Sequence, residues 1–296
     1  MRFLHCSDVH ITQNYAAAPL LQLGWRRWIA LFELKYGGRA QAYAHARETL
    51  GQIVQDAKTH HVDHFILSGD LTAYAMEAEF QGAKEVLGPL ADDPRRCTII
   101  PGNHDVYTPG AVRTRRFQRY FGHLIASDLP EHQSPTGFPF VRLLGDQTAV
   151  IGLHSARVPE VPGFSFGRIG RAQLGRLAKL LADPRLDGRA ILIVVHHAPL
   201  NQHAKADKPL HGLWDAQALF ALCHGPRFAV LHGHIHRRYH HPATDARPHE
   251  FGAGSSTQAG REGYWIIETE GDRVVGGQMH TPGGDRSPVQ QASAEA

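Results

Sequence analysis

The chain has 296 residues, 42% of them apolar, which is enough to bury one large core. Its 31 Lys and Arg against 28 Asp and Glu leave a formal charge of +3, too small to announce a nucleic-acid partner, whose usual mark is a concentrated basic face. No run of eighteen apolar residues and no signal-peptide pattern occurs, so the reading is a cytoplasmic protein without a membrane span.

Short apolar runs alternate with helical patterns along the chain, the signature of an α/β protein. A strand at 2–6 leads into Ser7-Asp8-Val9-His10, where extended backbone would put Asp8 and His10 on one side. Residues 14–39 read as an insertion. It carries Trp25 and Trp28 beside Arg26, Arg27 and Lys35 at helical spacing, which suits a helix packed on the core, a cap over a site, or a peripheral membrane contact through residues 19–36. A helix at 40–60 precedes a strand at 64–67 that ends in Ser68-Gly69-Asp70, and a helix at 75–90 precedes a strand at 97–100 that ends in Pro101-Gly102-Asn103-His104-Asp105. After a helix at 108–121 come a strand at 148–153, the stretch His154-Ser155-Ala156-Arg157, a helix at 171–181, and a strand at 190–195 leading into His196-His197. A polar loop holding His211, a helix at 215–222 and a strand at 228–231 lead to Gly233-His234-Ile235-His236. The stretch 240–280, with its apolar run 264–267, is expected to add antiparallel strands, closing a single domain over 1–282, and the Ser-, Pro- and Gln-rich tail 283–296 reads as poorly ordered.

Cys6, Cys97 and Cys223 are odd in number and widely spaced, which argues against a disulfide framework and against a thiolate zinc site. Histidine, at 22 copies, is the unusual count, and imidazole serves both as a metal ligand and as a near-neutral proton carrier. Chance alone supplies about 1.6 occurrences of His-any-His in such a chain, so His234 and His236 prove little as a pair. The weight lies in placement. All five polar fragments fall at the carboxyl ends of predicted strands, where open α/β sheets put their ligand crevice.

In this order Asp8 and His10, Gly69-Asp70, Gly102-Asn103-His104-Asp105, His196, and Gly233-His234-Ile235-His236 resemble the signature of the calcineurin-like metallophosphoesterase family, the dinuclear metallophosphatase fold. The resemblance spans about three quarters of the chain. It implies a four-layer α/β/β/α sandwich of two mixed β-sheets flanked by helices. It also implies two divalent metal ions, one held by Asp8, His10, Asp70 and His236 and the other by Asp70, Asn103, His196 and His234, with Asp70 bridging. The pattern leaves open whether His196 or His197 is the ligand, although the spacing from His196 to Pro199 favours the first. Nitrogen and oxygen donors without thiolate suit Mn, Fe, Zn or Co.

By the same resemblance a metal-bridging hydroxide attacks phosphorus, His104 donates a hydrogen bond or proton to the leaving oxygen, and Asp105 orients its ring. Arg157, His197 and His211 are candidate substrate contacts, with solvated loop positions as the ordinary alternative for Arg157 and His211. The partner is then a small phosphoester, with no stable nucleic-acid partner. Similarity to bacterial class III phosphodiesterases points to cyclic nucleotides or related small phosphodiesters. The alternative is a UDP-2,3-diacylglucosamine pyrophosphate hydrolase at the membrane surface, suggested by the Trp- and Arg-bearing insertion. A non-catalytic scaffold of the same fold would be expected to have lost ligands, and none is missing.

Overall fold

The strands that carry the polar fragments are apolar almost throughout, as parallel strands covered on both faces must be. In the computed structural model, which describes residues 1–13, 38–158, 165–208 and 210–284, they build two mixed sheets. One sheet has the order β11-β10-β1-β2-β3, formed by β1 (Arg2–Cys6), β2 (His64–Leu67), β3 (Cys97–Ile99), β10 (Tyr264–Glu270) and β11 (Arg273–His280). Within it β1, β2 and β3 run parallel, and β10 pairs antiparallel with both β1 and β11. The other has the order β4-β5-β6-β7-β9-β8, formed by β4 (Phe140–Leu144), β5 (Thr148–Gly152), β6 (Ala190–Val194), β7 (Phe228–His232), β8 (Arg238–His241) and β9 (His249–Ala253).

Alternation along the strands of the second sheet decides what each face covers. Val150, Leu192 and Val194 belong to one apolar cluster with Phe3 and Trp265, whose side of the first sheet faces the second, and with Phe65 on the opposite side beside Leu50 and Ile53 of the helix Ala46–Thr59 and Phe80 of the helix Glu77–Leu87. Their neighbours Ala149, Ile151, Ile191 and Ile193 face the other way, onto Leu174, Leu177 and Leu180 of the helix Arg171–Leu181 and Leu219 of the helix Ala216–Phe220. Each fully buried Leu or Ile side chain contributes roughly 1.5–3 kcal/mol. The result is the four-layer order implied by the family resemblance, with Thr148 Oγ1 and Thr269 Oγ1 joined at 2.9 Å from one sheet to the other.

Several boundaries differ from the sequence reading. The single helix expected at 40–60 is split into Arg39–Ala42 and Ala46–Thr59, and the one at 108–121 breaks at Arg115, whose φ is 48°. Strand β4 is an addition. Its central Arg142 is buried because its guanidinium pairs with Asp128 at 2.7 Å and donates to the Leu124 and Ala126 carbonyls. Of the C-terminal strands, β9 joins parallel to β7 rather than antiparallel. Residues 14–37 of the expected insertion 14–39 and residues 285–296 of the expected tail 283–296 lie outside the described residues, and with them the cap, membrane and disorder expectations. No helix among the described residues is long and apolar enough to cross a membrane. The three cysteines are free and buried.

Histidine is also used structurally. His64 bonds the Arg95 carbonyl and Thr98 Oγ1, both at 2.8 Å, and His232 lies between Gly233 O and Tyr239 Oη. Burial holds both imidazoles down at about 4, against an ordinary value of 6.5. Between those values the unfolded chain binds protons that the native state refuses, so stability rises with pH there and is lost as pH falls from 6.5 toward 4. Each residue is expected to forfeit on the order of 3 kcal/mol over that window. Urea titrations at pH 7 and pH 4.5 should show the midpoint falling, and His64→Gln should flatten the fall.

Candidate metal centre

The loops that follow β1, β2, β3, β6 and β7 meet at one edge of the sandwich, and three glycines let them meet. A Cβ on Gly233 would stand 2.1 Å from Asp8 Oδ2, one on Gly102 2.1 Å from Asp70 Oδ1, and one on Gly69 2.7 Å from His196 Nδ1. Gly69 also has a φ of 108°, closed to side-chain-bearing residues. Beyond the strand ends the backbone is strained. Nine non-glycine residues have positive φ among the described residues, and five of them are Asp8, His10, Asp70, His234 and His236. Such conformations cost of order 1–3 kcal/mol each and gather at functional sites. The extended backbone expected for Asp8 and His10 is therefore replaced by left-handed turns at φ 52° and 50°, held by Asp8 N donating to Gly69 O and His10 N to Asp70 O, both at 3.0 Å.

All seven expected ligands come together. Asp8 Oδ1 lies 3.1 Å from His236 Nε2 and 3.8 Å from His10 Nε2, and it has no aligned hydrogen-bond donor among the described residues although it is buried. Asp70 Oδ2 lies 3.9 Å from His10 Nε2 and 3.4 Å from His196 Nε2, so its carboxylate stands between two groups of ligands. On the second side, Asn103 Oδ1 is 3.0 Å from both His196 Nε2 and His234 Nδ1. Potential ligand atoms of Asp8, His10 and His236, and of Asp8, Asp70 and His196, fall within 4.8 Å of one another.

The outer nitrogens of these rings decide what the inner ones offer. His196 Nδ1 faces Ser68 O at 2.9 Å, His234 Nε2 faces His211 O at 2.9 Å, and His10 Nδ1 faces Thr72 O at 3.4 Å. A carbonyl accepts only, so each outer nitrogen carries the hydrogen, and in the neutral ring the inner nitrogen turns a lone pair inward, the tautomer that a cation requires. Lone pairs of imidazole, carboxylate and amide thus converge with few donors among them, and the donor set fits divalent metal ions. The electrostatics agree. Burial alone would push Asp8 and Asp70 up, yet His236 and His196 hold them below the usual carboxylate range. Burial likewise opposes charge on His196, yet Asp70, Asp8 and the Ser68 carbonyl lift it to about 9. The spot attracts positive charge.

The profile of the calcineurin-like phosphoesterases matches residues 1–238. The chain belongs to the calcineurin-like phosphoesterase family. No curated protein matches the sequence significantly. Among solved structures, a dimetal phosphatase from Danio rerio is 13% identical with a TM-score of 0.59, covering 95% of this chain and 98% of the other. Purple acid phosphatase PPD1 from yellow lupin (Lupinus luteus) seeds is 12% identical with a TM-score of 0.55, covering 97% of this chain and 52% of the other. GAP50, described as the anchor in the inner membrane complex of Plasmodium, is 10% identical with a TM-score of 0.54, covering 99% and 90%. At such identities the likeness extends to the fold.

Around this calcineurin-like centre the remaining expected residues fall in different places. His196 faces the cluster, whereas His197 turns its Nδ1 to Ser155 Oγ at 2.9 Å, which distinguishes the two neighbours. Asp105 does not orient His104. Its oxygens accept from Leu71 N, Thr72 N, Thr72 Oγ1 and Gly102 N at 2.8–3.2 Å, tying two loops of the site together. Burial and nearby Asp70 push Asp105 up to about 7, against those four donors, which favour its charge. The ring of His104 is set instead by Ala73 O, 2.6 Å from Nδ1. Burial and Arg39 bring His104 down to about 4, and with Nδ1 donating to Ala73 O the neutral ring turns its Nε2 lone pair toward Arg39 Nη2 at 3.1 Å. His211 contributes its carbonyl to His234, and its ring bonds Asp207 at 2.6 Å. Arg157 is exposed and lines a cavity of about 290 Å³ with His154, Val112, Phe117 and Phe166.

Other contributors were not singled out from sequence. Tyr43 Oη lies 3.4 Å from His236 Nδ1 and 3.0 Å from Ser255 Oγ, Ser255 donates to Asp8 O at 2.8 Å, and Thr257 Oγ1 donates to Val9 O at 2.5 Å. The Ser255-Ser256-Thr257 run follows β9 at its carboxyl end, so the rule that found the ligands could have found it. Arg39 also reaches the site, through His10 and His104.

Proposed function

We propose that the chain is a dinuclear metal-dependent phosphoesterase whose preferred substrates are small phosphodiesters, cyclic nucleotides among them. The observation that carries the reading is the convergence of seven inward-facing ligand side chains at the strand tips, each imidazole with an inward lone pair or a carboxylate beside it. Asp8, His10, Asp70 and His236 would hold one cation, and Asp70, Asn103, His196 and His234 the other. Bound there, the two cations would supply Lewis-acid activation of water and neutralise charge on phosphoryl oxygens. The protein's own part is to fix those ligands, to exclude water from Asp8, His10, Asp70 and His196, which are almost wholly buried, and to place His104 Nε2 at the edge of the site. The fold by itself serves phosphatases and an anchor protein alike, so the side chains decide, and none of the seven is absent. The preference for diesters draws on the likeness to class III phosphodiesterases. The membrane-surface alternative came from the insertion, whose residues 14–37 lie outside the described residues, and no described residue favours it.

The test is hydrolysis of bis(p-nitrophenyl) phosphate, 3′,5′-cyclic nucleotides, phosphomonoesters and a nucleotide sugar, each with Mn, Fe, Zn or Co. Metal-dependent turnover led by diesters is expected, and no turnover with any metal would defeat the reading. His104→Ala is expected to lower kcat on the order of 10²-fold while both metals stay bound, since the ring belongs to the reacting edge rather than to the ligand set. Metal analysis of the purified variant checks it.

A further inference from the structure

We infer that Arg39 anchors the phosphoryl group of the substrate, an inference that rests on the phosphoesterase reading above. Arg39 opens the short helix Arg39–Ala42, and its Nη2 lies 3.1 Å from His104 Nε2 and 3.3 Å from His10 Nδ1. Its guanidinium carbon stands 5.9 Å from the ring of Tyr43 and 6.0 Å from that of Tyr74, so two aromatic rings flank the cation where it meets the site.

The acceptors do not match the donor. His10 Nδ1 already faces the Thr72 carbonyl and carries its hydrogen toward it, which leaves His104 Nε2 as the lone pair available to Nη2. Arg39 Nε is buried without a hydrogen-bond partner, and among the described residues no carboxylate lies within ion-pair distance of the guanidinium. A permanently charged, planar group with five N–H donors therefore faces the ligand cluster with donors to spare. The ligand that such a fork recognises is a pair of oxygens on one phosphoryl group. His104 then acts as the positioning residue that holds the fork in place, its own ring fixed by Ala73 O.

The experiment uses the full chain loaded with manganese. Inorganic phosphate is titrated by calorimetry into wild type, Arg39→Met and Arg39→Lys, with bis(p-nitrophenyl) phosphate kinetics and manganese content measured on the same samples. Arg39→Met is expected to weaken phosphate binding and raise KM about ten- to hundredfold, as loss of a charged hydrogen-bonded pair does, with kcat less affected and manganese content unchanged. Arg39→Lys should recover part of the affinity. Unchanged phosphate affinity in Arg39→Met overturns the inference, as does loss of manganese or of fold in both variants, which would make Arg39 a structural prop for His10 and His104. Ester hydrolysis in wild type with an Arg39-independent phosphate affinity sinks the anchor and leaves the function standing. Phosphate binding through Arg39 without any ester hydrolysis does the reverse.

Discussion

Asp70→Ala is expected to bind less than one metal ion per chain and to hydrolyse phosphoesters on the order of 10³-fold or more slowly than wild type, because several kcal/mol of charge stabilisation disappear together. Asp70 Oδ2 faces His10 on one side and His196 on the other, while Oδ1 accepts from the backbone N–H of His104 at 2.7 Å and so fixes the turn that carries Asn103. Alanine removes the charge and that bond at once. Asp70→Asn separates them, since an amide oxygen can still accept from His104 N but supplies no negative charge. It should keep the fold and lose the second metal, with activity between the two extremes. Metal analysis beside steady-state kinetics reads both effects, and two bound ions with undiminished turnover in Asp70→Ala would remove Asp70 from the centre.

What made this centre legible is that its ligands are chemically specific side chains set just past strand ends, and strand ends are marked by an abrupt change from Val, Ile and Leu to Gly, Asp and His. That change is visible at Leu67-Ser68-Gly69-Asp70 and at Leu231-His232-Gly233-His234 without any three-dimensional knowledge. The parallel sheets followed for the same reason, because runs such as Ala190–Val194 are apolar on both faces. What stayed hidden depends on partners that have no sequence signature. Asp105 looks like a neighbour for His104, yet its oxygens are taken up by backbone N–H groups from two loops, which nothing in the spelling of those loops announces. Arg142 interrupts an apolar run, and Asp128, fourteen residues earlier in the chain, with the carbonyls of Leu124 and Ala126 lets that run become a buried strand. Arg39 is one cation among several in a basic stretch, and nothing in that spelling announces its bond to His104 or its approach to His10. The left-handed turns at Asp8 and His10 are a related case. The two residues do share a site, but through local strain rather than through the two-residue period of a strand.

That strain and the loop spacing are measurable through glycine. Gly102→Ala is expected to destabilise the protein by about 1–3 kcal/mol or more, as overpacking at a rigid contact does. The added methyl would stand 2.1 Å from Asp70 Oδ1 and 2.4 Å from Asp70 N, so a side-chain rotation cannot relieve it and either the loop after β2 or the turn after β3 must move. The same turn donates Gly102 N to Asp105 Oδ2 at 2.9 Å, and shifting it disturbs Asn103 and the position of Asp70 together. A fall in Tm of several degrees should therefore accompany weaker metal binding, at roughly 2–4 °C per kcal/mol for a chain somewhat shorter than this one. Gly175→Ala is the contrasting case. It lies within the helix Arg171–Leu181 with nothing within 4 Å of the new methyl, so replacing glycine there should stabilise by roughly 0.5–1 kcal/mol through the unfolded chain's lost freedom. Thermal melts of the two variants, with and without manganese, distinguish a site built by close loop approach from one that merely tolerates it. A Gly102→Ala protein with wild-type Tm and metal affinity would show that the loops have room that their close approach denies.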